Sequence, residues 1–170
     1  DFLVIDKPPG MPVHPSAGHE HDSLAQAVRG YYRERNETTA FRPLYRLDKD
    51  TSGLVVAAKN SYAAAACRVE KDYFAVCRGH VAAPGTVDAP IGLLPGHSIQ
   101  RCVGGGQPAV THYVPLAWDG THTLVRCRLE TGRTHQIRVH MASIGHPLAG
   151  DDMYGGSLAF ISRQALHCGR

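Results

Sequence analysis

Apolar and polar positions alternate along this chain in short blocks that predict strands joined by turns, with a few helical stretches between them. Phe2-Leu3-Val4-Ile5 is an apolar run stopped by Asp6-Lys7-Pro8-Pro9-Gly10, a strand followed by a turn that two prolines stiffen. Asp22 or Ser23 is placed to cap a helix in which Leu24, Ala27, Val28 and Tyr31 fall on one face. The polar stretch Arg46-Leu47-Asp48-Lys49-Asp50-Thr51-Ser52-Gly53 runs directly into Leu54-Val55-Val56-Ala57-Ala58, a turn feeding a buried strand. Ser61 heads a short alanine-rich helix, and Lys71 to Gly79 alternates as a strand with Tyr73, Ala75 and Cys77 on one face. Residues 82–108 are rich in Pro and Gly and read as loop.

The clearest hairpin joins Thr111–Trp118 to Thr123–Leu129 around Asp119-Gly120. Its second strand points Leu124, Arg126 and Arg128 one way and Val125, Cys127 and Leu129 the other, so one face is expected to be buried and the other basic. The segment from Thr134 alternates like a strand, but Ile137, Met141 and Ile144 also recur at helical spacing. Thr134 as N-cap and Gly145 with Pro147 as terminators favour a helix. Arg138 then shares a face with Thr134 or His135 and not with Ile137.

At 170 residues and 43% hydrophobic, the chain has enough apolar material for one domain with a real core. No apolar run reaches 18 residues and no basic-then-apolar leader is present, so the expectation is a soluble, cytoplasmic protein. Cys67, Cys77, Cys102, Cys127 and Cys168 are scattered and odd in number, as expected of reduced thiols. His14, His19 and His21 lie close together in a Pro/Gly-rich loop without a matched second cluster, and no metal is expected there. The net charge of +3 is too small for binding nucleic acid by charge alone. Its distribution is more telling: arginines gather at Arg29, Arg33, Arg35, Arg42 and Arg46, and again at Arg126, Arg128, Arg133 and Arg138.

By residue chemistry, Asp48 is the leading candidate, a carboxylate on a turn held at the rim of a rigid strand. The longer stretch Tyr45-Arg46-Leu47-Asp48-Lys49-Asp50-Thr51-Ser52-Gly53-Leu54 resembles the catalytic motif of the RluA-type pseudouridine synthases, His-Arg-Leu-Asp-x-x-Thr-Ser-Gly-Leu, with Tyr45 in place of the leading His. Four further segments resemble that family in the same order. They are Lys7 to Pro15, Lys71-Asp72-Tyr73-Phe74-Ala75, Thr131 to His140, and Gly145 to Gly155.

The resemblance implies an α+β catalytic domain over 1–170, a mixed and mainly antiparallel sheet flanked by helices and loops. It also implies isomerisation of uridine to pseudouridine in RNA, with no cofactor and no metal. On the matching positions it makes Asp48 the catalytic carboxylate, Tyr73 the residue against the target base, and Arg138 the ion-pair partner of the catalytic Asp. Arg46, Thr51, Arg133, His135 and Gln136 follow as substrate-binding residues. Independently of the resemblance, the Pro/Gly-rich composition of 82–108 is that of a loop expected to order on binding RNA. The His14-Pro15-Ser16-Ala17-Gly18 loop is more similar to members acting on large-subunit ribosomal RNA than to those acting on transfer RNA. A monomer is expected, with RNA as partner and no membrane.

Against the family pattern, the chain starts abruptly at Asp1, has a short Cys67 to Lys71 segment where relatives continue a helix, and stops soon after Leu166-His167. Missing residues are the expectation at all three places. Two alternatives stay open. One is an RNA-binding or ribosome-associated module with lost catalysis, for which Tyr45 is the motif evidence; the other is a hydrolase using Asp48 with His135 or His140.

Overall fold

The computed structural model describes all 170 residues, which divide into two compact units, Asp1–Glu70 with Arg170, and Lys71–Gly169. In the first unit, β1 (Phe2–Lys7) pairs antiparallel with β3 (Ser52–Ala58), from Phe2 opposite Ala58 to Lys7 opposite Gly53. Val55 and Ala57 are fully buried on one face of β3, whereas Leu54 and Val56 on the other face are half-buried. β1 alternates instead: Phe2, Val4 and Asp6 face outward, so Leu3, Ile5 and Lys7 share the inward side.

Between these strands lie α1 (Leu24–Glu34) and the two-residue β2 (Arg42–Pro43), which also pairs with β3. The helix buries Leu24, Val28 and Tyr32, an i, i+4, i+8 stripe. Tyr31 is 41% exposed and Ala27 also faces solvent, so the buried stripe is rotated from the one expected by a single position. Ser23 stands at the N-cap but makes no side-chain capping bond. In α2 (Ser61–Ala66) the cap is Asn60, whose side-chain oxygen accepts from the Ala63 amide at 2.7 Å, and not the expected Ser61.

The second unit contains a five-stranded antiparallel sheet in the order β10 (Leu166–Cys168), β4 (Asp72–Arg78), β9 (His122–Leu129), β8 (Val110–Trp118), β5 (Gly85–Asp88). The expected hairpin is β8–β9, with a register irregularity between Pro115 and Ala117. Val125 and Cys127 are fully buried, whereas Leu124 and Arg128 face outward as the alternation predicts.

Residues 82–108 are not simply loop. They hold β5 and a separate two-stranded hairpin, β6 (Ile91–Leu93) with β7 (Arg101–Val103). Strands of three and four residues are too short to register as periodicity, and the glycines are part of their pairing. A Cβ on Gly106 would run into the Ile91 carbonyl, which explains a glycine just after β7, where the chain passes close to the start of β6. α3 (Gln136–Ser143) and a 3-10 turn at Asp152–Tyr154 complete the unit. No helix is long and apolar enough to cross a membrane.

The β8–β9 turn is tied by one carboxylate. Asp119 accepts from the Thr121 amide at 2.8 Å, the Thr121 hydroxyl at 2.9 Å and the His122 amide at 2.7 Å. The backbone donors of His122 and Thr121 hold its pKa down at about 2, from an ordinary 3.8. A carboxyl whose folded pKa is lowered adds stability above its unfolded pKa and loses it as pH falls toward the folded one. Asp119→Ala should therefore melt below the wild type at neutral pH, with the gap closing between about pH 4 and pH 2. Melting curves of both proteins across that range test this, and a gap that does not change with pH would refute it.

Candidate active site

Asp48 opens a β-turn: the Thr51 amide donates to the Asp48 carbonyl at 3.1 Å, and the chain then enters β3. Leu47 is buried at 6% exposure, Arg46 is exposed and Asp48 is half-buried, so the leucine anchors the turn from within. Thr51, at 2% exposure, anchors its other end. Tyr45, the departure from the motif, donates its hydroxyl to the Leu54 carbonyl at 2.9 Å, which ties the approach to the turn onto β3.

Under this turn lies Lys7, completely buried. Its Nζ donates to the carbonyls of Pro8 at 2.9 Å, Met11 at 2.8 Å and Lys49 at 2.9 Å. An ammonium carries three donors, and burial is tolerable because carbonyls receive them. The Pro-rich loop and the Asp48 turn are thereby pinned to one side chain. The sequence signal for this role is a lysine in phase with Leu3 and Ile5 on the inward side of β1.

In the second unit, the start of α3 differs from expectation. His135 stands at the N-cap with φ 59, a left-handed conformation that interrupts the helix, so α3 begins at Gln136 and Thr134 is exposed. Gln136 does the capping work: its Oε1 accepts from the Arg133 amide and the Thr131 hydroxyl, both at 2.9 Å. Its amide nitrogen donates to the Val110 carbonyl at 2.9 Å and the Thr111 hydroxyl at 3.1 Å. At 3% exposure this side chain is engaged with the protein on all sides.

His140 extends the same buried network. Its Nδ1 meets the Thr111 hydroxyl and its Nε2 the Ala89 carbonyl, each at 2.9 Å. With Nε2 donating to a carbonyl, Nδ1 is the acceptor. Desolvation lowers its pKa, which keeps the ring neutral in this role. Together Gln136 and His140 lock α3 onto β8.

Arg138 is buried on the next turn and meets Asp151, itself fully buried, through a bidentate pair: Nε to Oδ2 at 2.7 Å and Nη2 to Oδ1 at 2.8 Å. The guanidinium also lies 4.9 Å from the ring centroid of Tyr154. His135 reaches the same tyrosine, Nδ1 to hydroxyl at 2.7 Å, so His135 and Arg138 do share a side of α3. The Asp151 loop is tightly wound: a Cβ on Gly156 would collide with the Leu148 carbonyl. In the sequence, the signal for Asp151 is an acid between glycines, Gly150 and Gly155, in a segment that folds back closely.

Tyr73 is on β4, buried at 6% exposure, opposite Cys127 on β9 and Cys168 on β10. Arg133 is exposed and donates Nε to the Pro108 carbonyl at 2.9 Å. Arg128 is engaged by Asp72 through Nε and Nη2. Arg29 and Arg33 line an open groove of about 480 Å³ with Tyr32, Asn36, Thr38 and Thr39. All five cysteines are free, and burial pushes the Cys127 thiol up to about 12, out of the reactive range. No group of three or more His, Cys, Asp or Glu side chains is arranged to hold a metal ion.

A family model described as RNA pseudouridylate synthase matches residues 1–143. The uncharacterized RNA pseudouridine synthase YhcT of Bacillus subtilis (strain 168) is 41% identical over 180 residues, which cover 99% of this chain and 60% of that protein. Ribosomal large subunit pseudouridine synthase D of Escherichia coli (strain K12) is 43% identical over 189 residues, covering 98% of this chain and 58% of that one. The chain thus spans about three fifths of the length of these curated relatives. Among solved structures, human RNA pseudouridylate synthase domain containing 1 superposes with a TM-score of 0.79 at 30% identity, over 99% of this chain and 73% of its own.

Lys7 offers a direct test of how the Asp48 turn is held. Lys7→Met keeps the length and apolar stem but strips the donors from three carbonyls. Leaving buried acceptors unmatched costs about 1–3 kcal/mol each, so a loss of about 3–5 kcal/mol is expected. Urea unfolding measures it, and wild-type stability in the variant would show that Lys7 does not hold the turn.

Proposed function

Because the chain belongs to the RNA pseudouridylate synthase family, we propose that it isomerises specific uridines to pseudouridine in RNA, ribosomal RNA being the substrate and Asp48 the catalytic carboxylate. The observation that carries this reading is the seating of Asp48. It opens a hydrogen-bonded turn at the rim of a buried strand, and that turn is pinned from beneath by Lys7. A carboxylate held by rigid structure in this way is suited to attack or abstraction at a defined point. The choice of ribosomal RNA rests on the relatives named for the large ribosomal subunit.

In the reaction the bond from ribose C1′ to uracil N1 breaks, the base turns, and C5 joins C1′. C5 gives up its proton and N1 gains one, so no cofactor or metal is consumed. The target nucleotide must leave the RNA stack to expose C1′ and N1, at a cost of a few kcal/mol. Asp48 is the nucleophile or base. Arg138 is its cationic partner and keeps the carboxylate charged in a desolvated pocket. Tyr73 lies against the uracil and assists removal of the C5 proton, while Arg46 takes the space the base vacates.

Thr51 and Gln136 support the two ends of this machinery through their buried contacts, and His135 and Arg133 face the substrate. Arg29, Arg33, Arg42, Arg126, Arg128 and Arg133 bind phosphates, so affinity falls as salt rises. The protein acts as a monomer in the cytoplasm, where its ribosomal substrate is made.

Release of tritium from RNA labelled at uracil C5 tests the reading, on ribosomal and transfer RNA transcripts separately. Wild type should release it from ribosomal RNA, and Asp48→Ala should be slower by more than ~10³-fold. Salt-sensitive RNA binding by all variants without release from any transcript would instead identify a binding module with lost catalysis.

A further inference from the structure

The bidentate carboxylate of Asp151 fixes one edge of the Arg138 guanidinium, and Nη2 also lies 3.9 Å from Met153 Sδ. The structure supplies a further restraint. Asp151 caps the 3-10 turn whose last residue is Tyr154, and the Tyr154 amide donates to the Asp151 carbonyl at 3.1 Å. Asp151 meets Arg138 at one edge, and the guanidinium carbon lies over the Tyr154 ring, 4.9 Å from its centroid.

The ring is itself restrained in three ways. It packs against the buried cluster of Ile91, Ala109 and Val139. It stands edge-on to His135, with centroids 5.7 Å apart and planes at 78°. Its hydroxyl oxygen accepts from the Arg101 amide of β7 at 3.0 Å, and the hydroxyl is hydrogen-bonded to His135 Nδ1 at 2.7 Å. The turn is tied to the same hairpin once more by Gln100, whose side-chain amide donates to the Met153 carbonyl at 3.0 Å.

We propose that Tyr154 is a positioning residue for Arg138: its ring sets the plane of the guanidinium, and its hydroxyl, held between the β7 backbone and His135, sets the ring. The proposal rests on the reading of Arg138 as the partner of the catalytic carboxylate. It makes the β6–β7 hairpin part of the catalytic scaffold, since that hairpin supplies the amide that holds the tyrosine. Tyr154 does not act on the uracil, so its loss changes the rate of the chemical step and leaves RNA affinity in place.

The test uses the full chain on a transcript labelled at uracil C5 that the wild type modifies. Tyr154→Phe keeps the ring and removes its anchor; kcat should fall about 10-fold with KM within about 2-fold. Tyr154→Leu removes the ring as well, and kcat should fall about 10²-fold. Melting temperatures of Tyr154→Phe and wild type report whether the fold is intact. In an Arg138→Lys background, which keeps the charge but loses the fork, Tyr154→Phe should have little further effect, because neighbours acting as one unit are not additive.

Full, multiplicative loss in the double variant overturns the proposal, as does wild-type kcat in Tyr154→Phe and Tyr154→Leu alongside an inactive Arg138→Ala. A rise in KM with kcat unchanged also overturns it, since that marks a substrate contact. Full activity in Arg138→Ala overturns the premise instead, because it removes Arg138 itself from the mechanism.

Discussion

A buried guanidinium has to be paired, and much of the second unit is arranged around that necessity. Arg138 and Asp151 are both desolvated, and taking either partner away would strand a charge at a cost of about 3–5 kcal/mol. The carboxylate can reach the arginine only if the chain after Leu148 winds back closely, which explains a glycine at 156 where any Cβ would strike backbone. Such pairs are weak as sources of net stability, because desolvation consumes most of the attraction. Their effect is to fix orientation, and orientation is what the proposed partner of a catalytic carboxylate requires.

The same logic governs the polar groups beneath α3. Gln136, Thr111 and His140 are buried, and each is matched by hydrogen bonds to β8, to the loop before α3 or to the Ala89 carbonyl. A fully satisfied network in a low-dielectric interior admits one arrangement, whereas a partly satisfied one is costly. This explains how His135 is kept in a left-handed conformation that a non-glycine residue adopts at a cost of ~1–3 kcal/mol. The neutral, fully engaged His140 is also a poor candidate for acid–base chemistry, which leaves the hydrolase alternative without one of its two histidines.

In the first unit Lys7 has the corresponding part. Its three carbonyl acceptors come from residues as far apart as Pro8 and Lys49, so one side chain joins the Pro-rich loop to the turn that carries Asp48. Tyr45 serves the same turn from the other direction through Leu54. The residue that departs from the family motif therefore has a structural task.

The sequence by itself determined the family, the α+β class, the strands β1, β3 and β4, the β8–β9 hairpin with its one buried and one outward face, and the turn that bears Asp48. These are legible because they depend on local pattern: period-two alternation, turn chemistry and contiguous motif residues. Tertiary structure alone decided that Asp151 grips Arg138, that Gln136 and not Thr134 organises the start of α3, that Lys7 holds the Asp48 turn, and that residues 82–108 form strands. The partners in those contacts are separated by 13, 26 and 42 residues, and the strands are three or four residues long. No periodicity encodes contacts at such separations. They arise because buried donors and charges must find acceptors, and only the folded chain determines which ones lie within reach.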